Sequence, residues 1–167
     1  MWNKLFKEFD CDTPHRIQAL FSSIFIIQNR MQTAGEKIQT QISIKQWLLL
    51  AMVGVCPEPR TLTNIGALMG CSRQNVKKLA LALEKQGYVN LVLGGNNSVQ
   101  VELTEKVTEY AKEMEERHLK TLQLLFKDFS EEEIQQLFYL YSKLYSGIER
   151  VENYAKELDE DEKRKEK

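Results

Sequence analysis

Residues 61–76 read Thr61-Leu62-Thr63-Asn64-Ile65-Gly66-Ala67-Leu68-Met69-Gly70-Cys71-Ser72-Arg73-Gln74-Asn75-Val76. Thr61 and Ser72 each stand just before a run of helical apolar spacing, where a hydroxyl oxygen accepts the free N–H groups of a helix start. Gly70 lies between them and can adopt the left-handed conformation that ends a helix. The stretch therefore predicts a short helix over 62–69, a turn of a few residues, and a second helix over 73–86 that Gly87 stops. Two short helices joined by a glycine-containing turn are the helix-turn-helix pattern.

On the second helix, Val76, Leu79 and Leu83 fall on one face at 100° per residue. Gln74, Lys77, Lys78, Leu81 and Lys85 fall on the other, flanked by Arg73 and Asn75. The outward arc near the helix start thus offers Arg, Gln, Asn and Lys with no acid. Such side chains donate to phosphates and to base edges in the major groove, as a recognition helix must. A plain solvated amphipathic helix shares this pattern, so the order of elements decides. Beyond Gly87 the apolar period changes from 3.6 to 2, over 88–93 and again over 98–103. Gly94-Gly95-Asn96-Asn97 between them predicts a β-hairpin with Gly and Asn at positive φ. Helix, helix, hairpin is the order of a winged helix. It assigns base reading to Arg73, Gln74, Asn75 and Lys77. Phosphate contacts fall to Thr61, Thr63, Ser72 and Lys78, with Asn96, Asn97 and Ser98 at the wing tip.

Outward from this core, helix signals dominate. Trp2, Leu5, Phe6 and Phe9 carry the stripe of a short amphipathic helix. Thr13-Pro14 has the order of an N-cap followed by Pro at the first helical position. Ile17, Leu20, Phe21, Ile24, Gln28 and Met31 follow it on one face, to residue 33, and Gly35 suggests a loop. Ser43 and Gln46 have capping-box spacing before an apolar helix over 46–55 that reads as buried and is ended by Pro57 and Pro59. After the hairpin, Thr104 opens a helix with Val107, Tyr110, Ala111, Met114, His118 and Leu122 on one side. Ser130 and Glu133 form a second capping box, ahead of a stripe from Ile134 to Val151. From 156 to 167 only Leu158 is uncharged, which predicts a frayed or disordered tail. The fold class is mainly α with a small β-hairpin wing. Its organisation is N-terminal helices over 1–42, a winged helix-turn-helix over 43–103, C-terminal helices over 104–155 and a charged tail over 156–167.

Composition bounds the rest. At 167 residues, 43% hydrophobic and 28% charged, the chain can bury one domain's core. Its net charge of -1 hides a gradient: 58–101 carries five bases and two acids, whereas 102–167 carries twelve and eighteen. A polyanion partner therefore fits only the middle. No apolar run approaches a membrane span, and early charges argue against a signal peptide, so the chain is expected to be cytoplasmic. Cys56 and Cys71 read as buried apolar residues, and three cysteines suit a reducing compartment. There is no Cys-x-x-Cys, His-x-x-x-His, P-loop or Gly-x-Gly-x-x-Gly, and the only histidines are His15 and His118. Neither an enzyme, a cofactor nor a metal site is expected from such a set.

Residues 43–107 resemble the winged helix of the multiple-antibiotic-resistance regulator (MarR) family. Thr61–Gly70 resembles its first motif helix, Ser72-Arg73-Gln74-Asn75-Val76 the start of its recognition helix, and Leu83-Glu84-Lys85-Gln86-Gly87-Tyr88-Val89 its end. Val99-Gln100-Val101-Glu102-Leu103-Thr104-Glu105-Lys106 resembles the last wing strand and the helix after it, and with the flanking helices the likeness spans about 13–154. The resemblance implies a bacterial homodimer joined through its terminal helices, repressing or activating genes from palindromic double-stranded DNA sites. It further implies an aromatic-effector pocket, here at Phe21, Phe25, Trp47 and Met114, and in some members a redox-active cysteine, here Cys11. The wing departs from the family, since residues 86–101 contain no charge where basic residues are usual. Leu81-Ala82 stand where Asp-Arg is common, and Val107 where Gly is usual. A winged-helix protein-interaction module that has lost DNA remains the rival expectation.

Overall fold

The computed structural model describes the backbone of residues 2–165, and their side chains except those of residues 2–5 and Asn96. The wing-tip role given to Asn96, the Trp2 and Leu5 part of the first stripe and the last two tail residues lie outside the described set. In chain order the elements are α1 (Trp2–Phe9), α2 (Thr13–Ile38), α3 (Ile44–Val55), α4 (Leu62–Met69), α5 (Arg73–Lys85), β1 (Val89–Leu93), β2 (Val99–Leu103), α6 (Glu105–Leu125) and α7 (Glu131–Lys165). A single 3-10 turn, Gly95–Asn97, joins the two strands. The chain forms two compact units, residues 1–117 and 118–167.

The first unit is built around one apolar cluster. Leu49 and Val53 of α3, Ile65 of α4, Val76, Ala80 and Leu83 of α5 and Val101 of β2 are all fully buried. Burying this set drives the three helices and the hairpin together, because each element is apolar on one side only. The strands pair antiparallel, with Val89 opposite Leu103, Leu91 opposite Val101 and Leu93 opposite Val99. A bridge between Thr61 and Gln100, with Val101 N–H donating to Arg60 O at 3.0 Å, ties the wing to the start of α4.

Local chemistry sets the boundaries. Ser43 accepts from Gln46 N–H at 3.2 Å while Gln46 Oε1 accepts from Ser43 N–H at 2.8 Å, a complete capping box. The Ser130 and Glu133 box before α7 forms in the same way. The predicted N-cap at Thr13 is corrected: Asp12 takes that role, accepting from His15 N–H at 2.9 Å. Asp is a slightly better N-cap than Thr, and Thr13 then enters the helix beside Pro14. The predicted loop at Gly35 is also corrected, since α2 runs on to Ile38. A Cβ at Gly35 would stand 2.7 Å from Ile44 Cγ1, so this glycine serves close packing. In the hairpin only Asn97 has positive φ, 56°, whereas Gly94 is extended at −94°. The 3-10 turn makes the reversal, and left-handed backbone is needed only at its exit.

Gly66 decides how tightly α4 and α5 close. A Cβ there would lie 2.8 Å from the backbone oxygen of Cys71. Gly66→Ala is therefore expected to lower stability by about 1–3 kcal/mol, the cost of overpacking less the gain in helix propensity. A urea midpoint that does not move would show that the turn yields freely.

A polar seam crosses the unit beside the core. Tyr110 Oη donates to Gln39 Oε1, Tyr88 Oη donates to Gln41 Oε1 at 2.5 Å, and Gln41 Nε2 donates to Glu113 at 2.8 Å. The two phenol rings meet edge to face at 5.7 Å. Burial, then the neighbouring Tyr88 and Glu113, pushes the Tyr110 phenol up to about 12, and burial raises Tyr88 as well. Both remain neutral donors at physiological pH, joining the α2–α3 loop to the residues just after α5 and to α6.

The second unit comprises the end of α6 from His118 and the whole of α7. None of α7's described residues is buried. Its stripe is open to solvent within the chain, with Ile134 41% and Phe138 77% exposed. The expectation of a disordered tail is corrected for residues 156–165, which continue α7. Lys163 pairs with Asp159 at 2.5 Å and Arg164 with Glu160 at 3.8 Å, one helical turn apart with the acid first. That orientation, with bases in the last turn, also suits the helix dipole.

Candidate nucleic-acid interface

The turn between α4 and α5 aims the start of α5 at solvent. Thr61 Oγ1 accepts from Asn64 N–H at 3.1 Å, and Gly70 closes α4 in the left-handed conformation, φ 62°. Cys71 is half-buried in the turn, and Ser72 Oγ accepts from Asn75 N–H at 3.3 Å to start α5. Arg73, Gln74, Asn75, Lys77 and Lys78 are exposed, as the helical arc predicts, while Val76 and Ala80 behind them are fully buried. The rigid inner face holds the polar one in place. Glu84 is the acid on α5, and its carboxylate accepts from Leu91 N–H at 2.9 Å, which turns it toward the wing. The advancing arc is left with positive and neutral donors.

The far end of α5 is tied down as firmly. Thr104 Oγ1 donates to Gly87 O at 2.7 Å, and Lys106 Nζ donates to Gln86 O at 2.9 Å while lying 4.7 Å from the Tyr88 ring centroid. A cation at a helix C-terminus complements its dipole. These bonds join the end of α5 to the strand exit at Thr104 and the first turn of α6.

Other expected site residues are placed as follows. Thr63 is exposed, whereas Thr61 is half-buried, its hydroxyl already engaged by the cap. At the wing tip Asn97 is exposed, and Ser98 Oγ donates to Gly95 O at 2.8 Å, so its hydroxyl shapes the turn. The four residues given to an effector pocket divide into two pairs. Trp47 and Met114 belong to the winged-helix core, while Phe21 and Phe25 stack edge to face at 5.3 Å on the exposed surface of α2. A separate open groove of about 380 Å³ lies between α1 and α2, lined by Phe6, Phe9, Arg16 and Leu20 among others. Cys11 is exposed, Cys56 buried. Sequence spacing did not single out the cluster that Cys11 makes with Asp12 and His15, because a turn and a helix start bring the three together.

No family model and no curated protein matches the sequence. Solved structures do match. A MarR/EmrR family transcriptional regulator from Acinetobacter superposes with a TM-score of 0.70 at 19% identity, covering 80% of this chain and 96% of that one. The S. aureus MepR–DNA complex gives 0.64 at 19% identity, covering 77% and 96%. The organohalide-sensing regulator RdhR, in its 2,4-dichlorophenol-bound form, gives 0.65 at 15% identity, covering 84% of each chain. Over most of its length the chain has the fold of the MarR-family transcriptional regulators.

Proposed function

We propose that this chain is a homodimeric DNA-binding regulator of transcription, acting in the cytoplasm, with α5 entering the major groove at each half of a palindromic operator. The observation that carries the reading is the acid-free arc of Arg73, Gln74, Asn75, Lys77 and Lys78, exposed at the start of a helix whose opposite face is fully buried. Thr63, Ser72, Asn97 and the wing-tip amides supply phosphate contacts. Similarity to a regulator solved on DNA supports the same use of the fold.

The dimer rests on apolar surface. Ile17, Leu20, Phe21, Phe25 and Ile27 are each more than half exposed on α2, and Phe138, Tyr141, Tyr145 and Val151 likewise on α7. Exposed apolar area of this extent marks an interface in a folded chain. Release by a small aromatic effector is the finer part of the reading. It is favoured by the phenol-bound neighbour and by Phe21 and Phe25, which offer ring faces to such a ligand.

One observation favours a second reading, a protein-interaction module: residues 86–101 carry no charge, so the wing adds no electrostatic pull on phosphate. Light scattering with and without duplex DNA from a neighbouring promoter separates the two. The regulator is expected at twice the 19.5 kDa chain mass, and two chains should join each duplex in a salt-dependent way. A 19.5 kDa species that ignores duplex at low salt would overturn the proposal and favour the module.

A further inference from the structure

We infer that the turn between α1 and α2 is a binding site for a borderline divalent metal ion, of the zinc or cobalt class, made by Cys11, Asp12 and His15. One ligand atom from each residue lies within 4.8 Å of the others, and all three side chains are exposed. They form the one such cluster of three among the described residues.

The geometry needs little change to close on an ion. Two ligands of one tetrahedral zinc stand about 3.3–3.7 Å apart, given bond lengths of about 2.0–2.3 Å. His15 Nδ1 and an Asp12 carboxylate oxygen are already 2.7 Å apart, sharing a proton that an ion can replace. The Cys11 thiol has only to swing in, and an exposed side chain in a turn does so through its χ1 rotamers. Asp12 is held by its capping bond from His15 N–H at 2.9 Å, so the backbone places two ligands before any ion arrives. The nearby cation does not oppose binding, because Arg16 is paired with Asp10 at 2.6 Å.

The donor set selects the ion. A thiolate and an imidazole with one carboxylate suit zinc or cobalt, whereas magnesium and calcium call for oxygen donors alone. On binding, the Cys11 thiol gives its proton to solvent, and thiolate plus carboxylate balance the ion's two positive charges. Three protein ligands leave a fourth position to water, so the site is open. The ion would fasten the turn to the first turn of α2 and fix the direction in which α1 leaves it. This inference stands independently of DNA binding.

Cobalt(II) titration of the full chain, with a thiol-free reductant present, tests it. The expected result is one ion per chain, a near-ultraviolet thiolate-to-cobalt charge-transfer band, and loss of that band when zinc is added. Cys11→Ser should abolish the band, and His15→Gln should weaken binding. Asp12→Asn keeps the helix cap and should weaken it too, whereas Cys71→Ser should change nothing; circular dichroism verifies that each variant is folded. No charge-transfer band in the unaltered chain, or a band that survives Cys11→Ser, would overturn the assignment.

Discussion

Truncating Leu83 to alanine is expected to remove about 2–5 kcal/mol of stability, the range for a large apolar side chain taken from a closed core. Leu83 is fully buried on the inner face of α5, one turn beyond Ala80 and two beyond Val76. Its carbonyl accepts from both Gln86 N–H at 3.2 Å and Tyr88 N–H at 3.0 Å, so the residue sits where α5 turns into the hairpin. The backbone there is pinned by those bonds and by Thr104 on Gly87 and Tyr88. A pinned backbone collapses poorly into a void, which favours the upper half of the range. Leu83→Met keeps the volume and should cost less than about 1.5 kcal/mol. Urea unfolding at one fixed chain concentration is the measurement, since the midpoint of any chain that self-associates moves with concentration. A loss below 1 kcal/mol for the alanine variant would mean that this end of the core repacks.

The contrast between Leu83 and its neighbours shows what the sequence could and could not reveal. Buried and exposed faces of α5 were legible from a period of 3.6 alone, because one helix packs against one core and nothing competes with the pattern. The caps at Ser43, Thr61, Ser72 and Ser130 were legible for a similar reason: a hydroxyl within reach of the first free N–H groups satisfies them locally. Gly35 was misread because its role depends on Ile44, a residue that touches it only after the chain folds back. Glycine's weak helix propensity argued for a loop, and a close tertiary contact outweighed it. The tail was misread because charge alone was weighed, without the one-turn spacing of acids and bases that supports α7. Among candidate site residues, the polar arc of α5 followed from spacing. The hydroxyls of Thr61 and Ser98 did not, since their engagement in a cap and a turn is set by backbone geometry. Cys11, Asp12 and His15 form no spaced motif, and only the turn into α2 brings them within reach of one ion.

On DNA the largest effects should come from the first turn of α5. Arg73→Ala and Gln74→Ala are each expected to cost about 1–3 kcal/mol on the specific operator, roughly fivefold to 150-fold in affinity, and to relax its sequence preference. Arg pairs with guanine and Gln with adenine through two bonds at once, so truncation forfeits recognition as well as energy. Lys78 lies farther along the exposed arc and is suited to phosphate. Lys78→Ala should weaken operator and scrambled duplex alike and lower the slope of log K against log salt by about 1. The wing cannot compensate for either loss, because residues 86–101 carry no charge. Neither change should unsettle the fold, since all three side chains are exposed and the helix cap belongs to Ser72. Salt titrations of each variant on both duplexes distinguish the roles in one data set. If Arg73→Ala and Gln74→Ala bind the operator as tightly as the unaltered chain, another surface reads the bases. If Lys78→Ala loses affinity on the operator alone, then Lys78 is itself a reader, and the division between base and phosphate contacts along α5 must be redrawn.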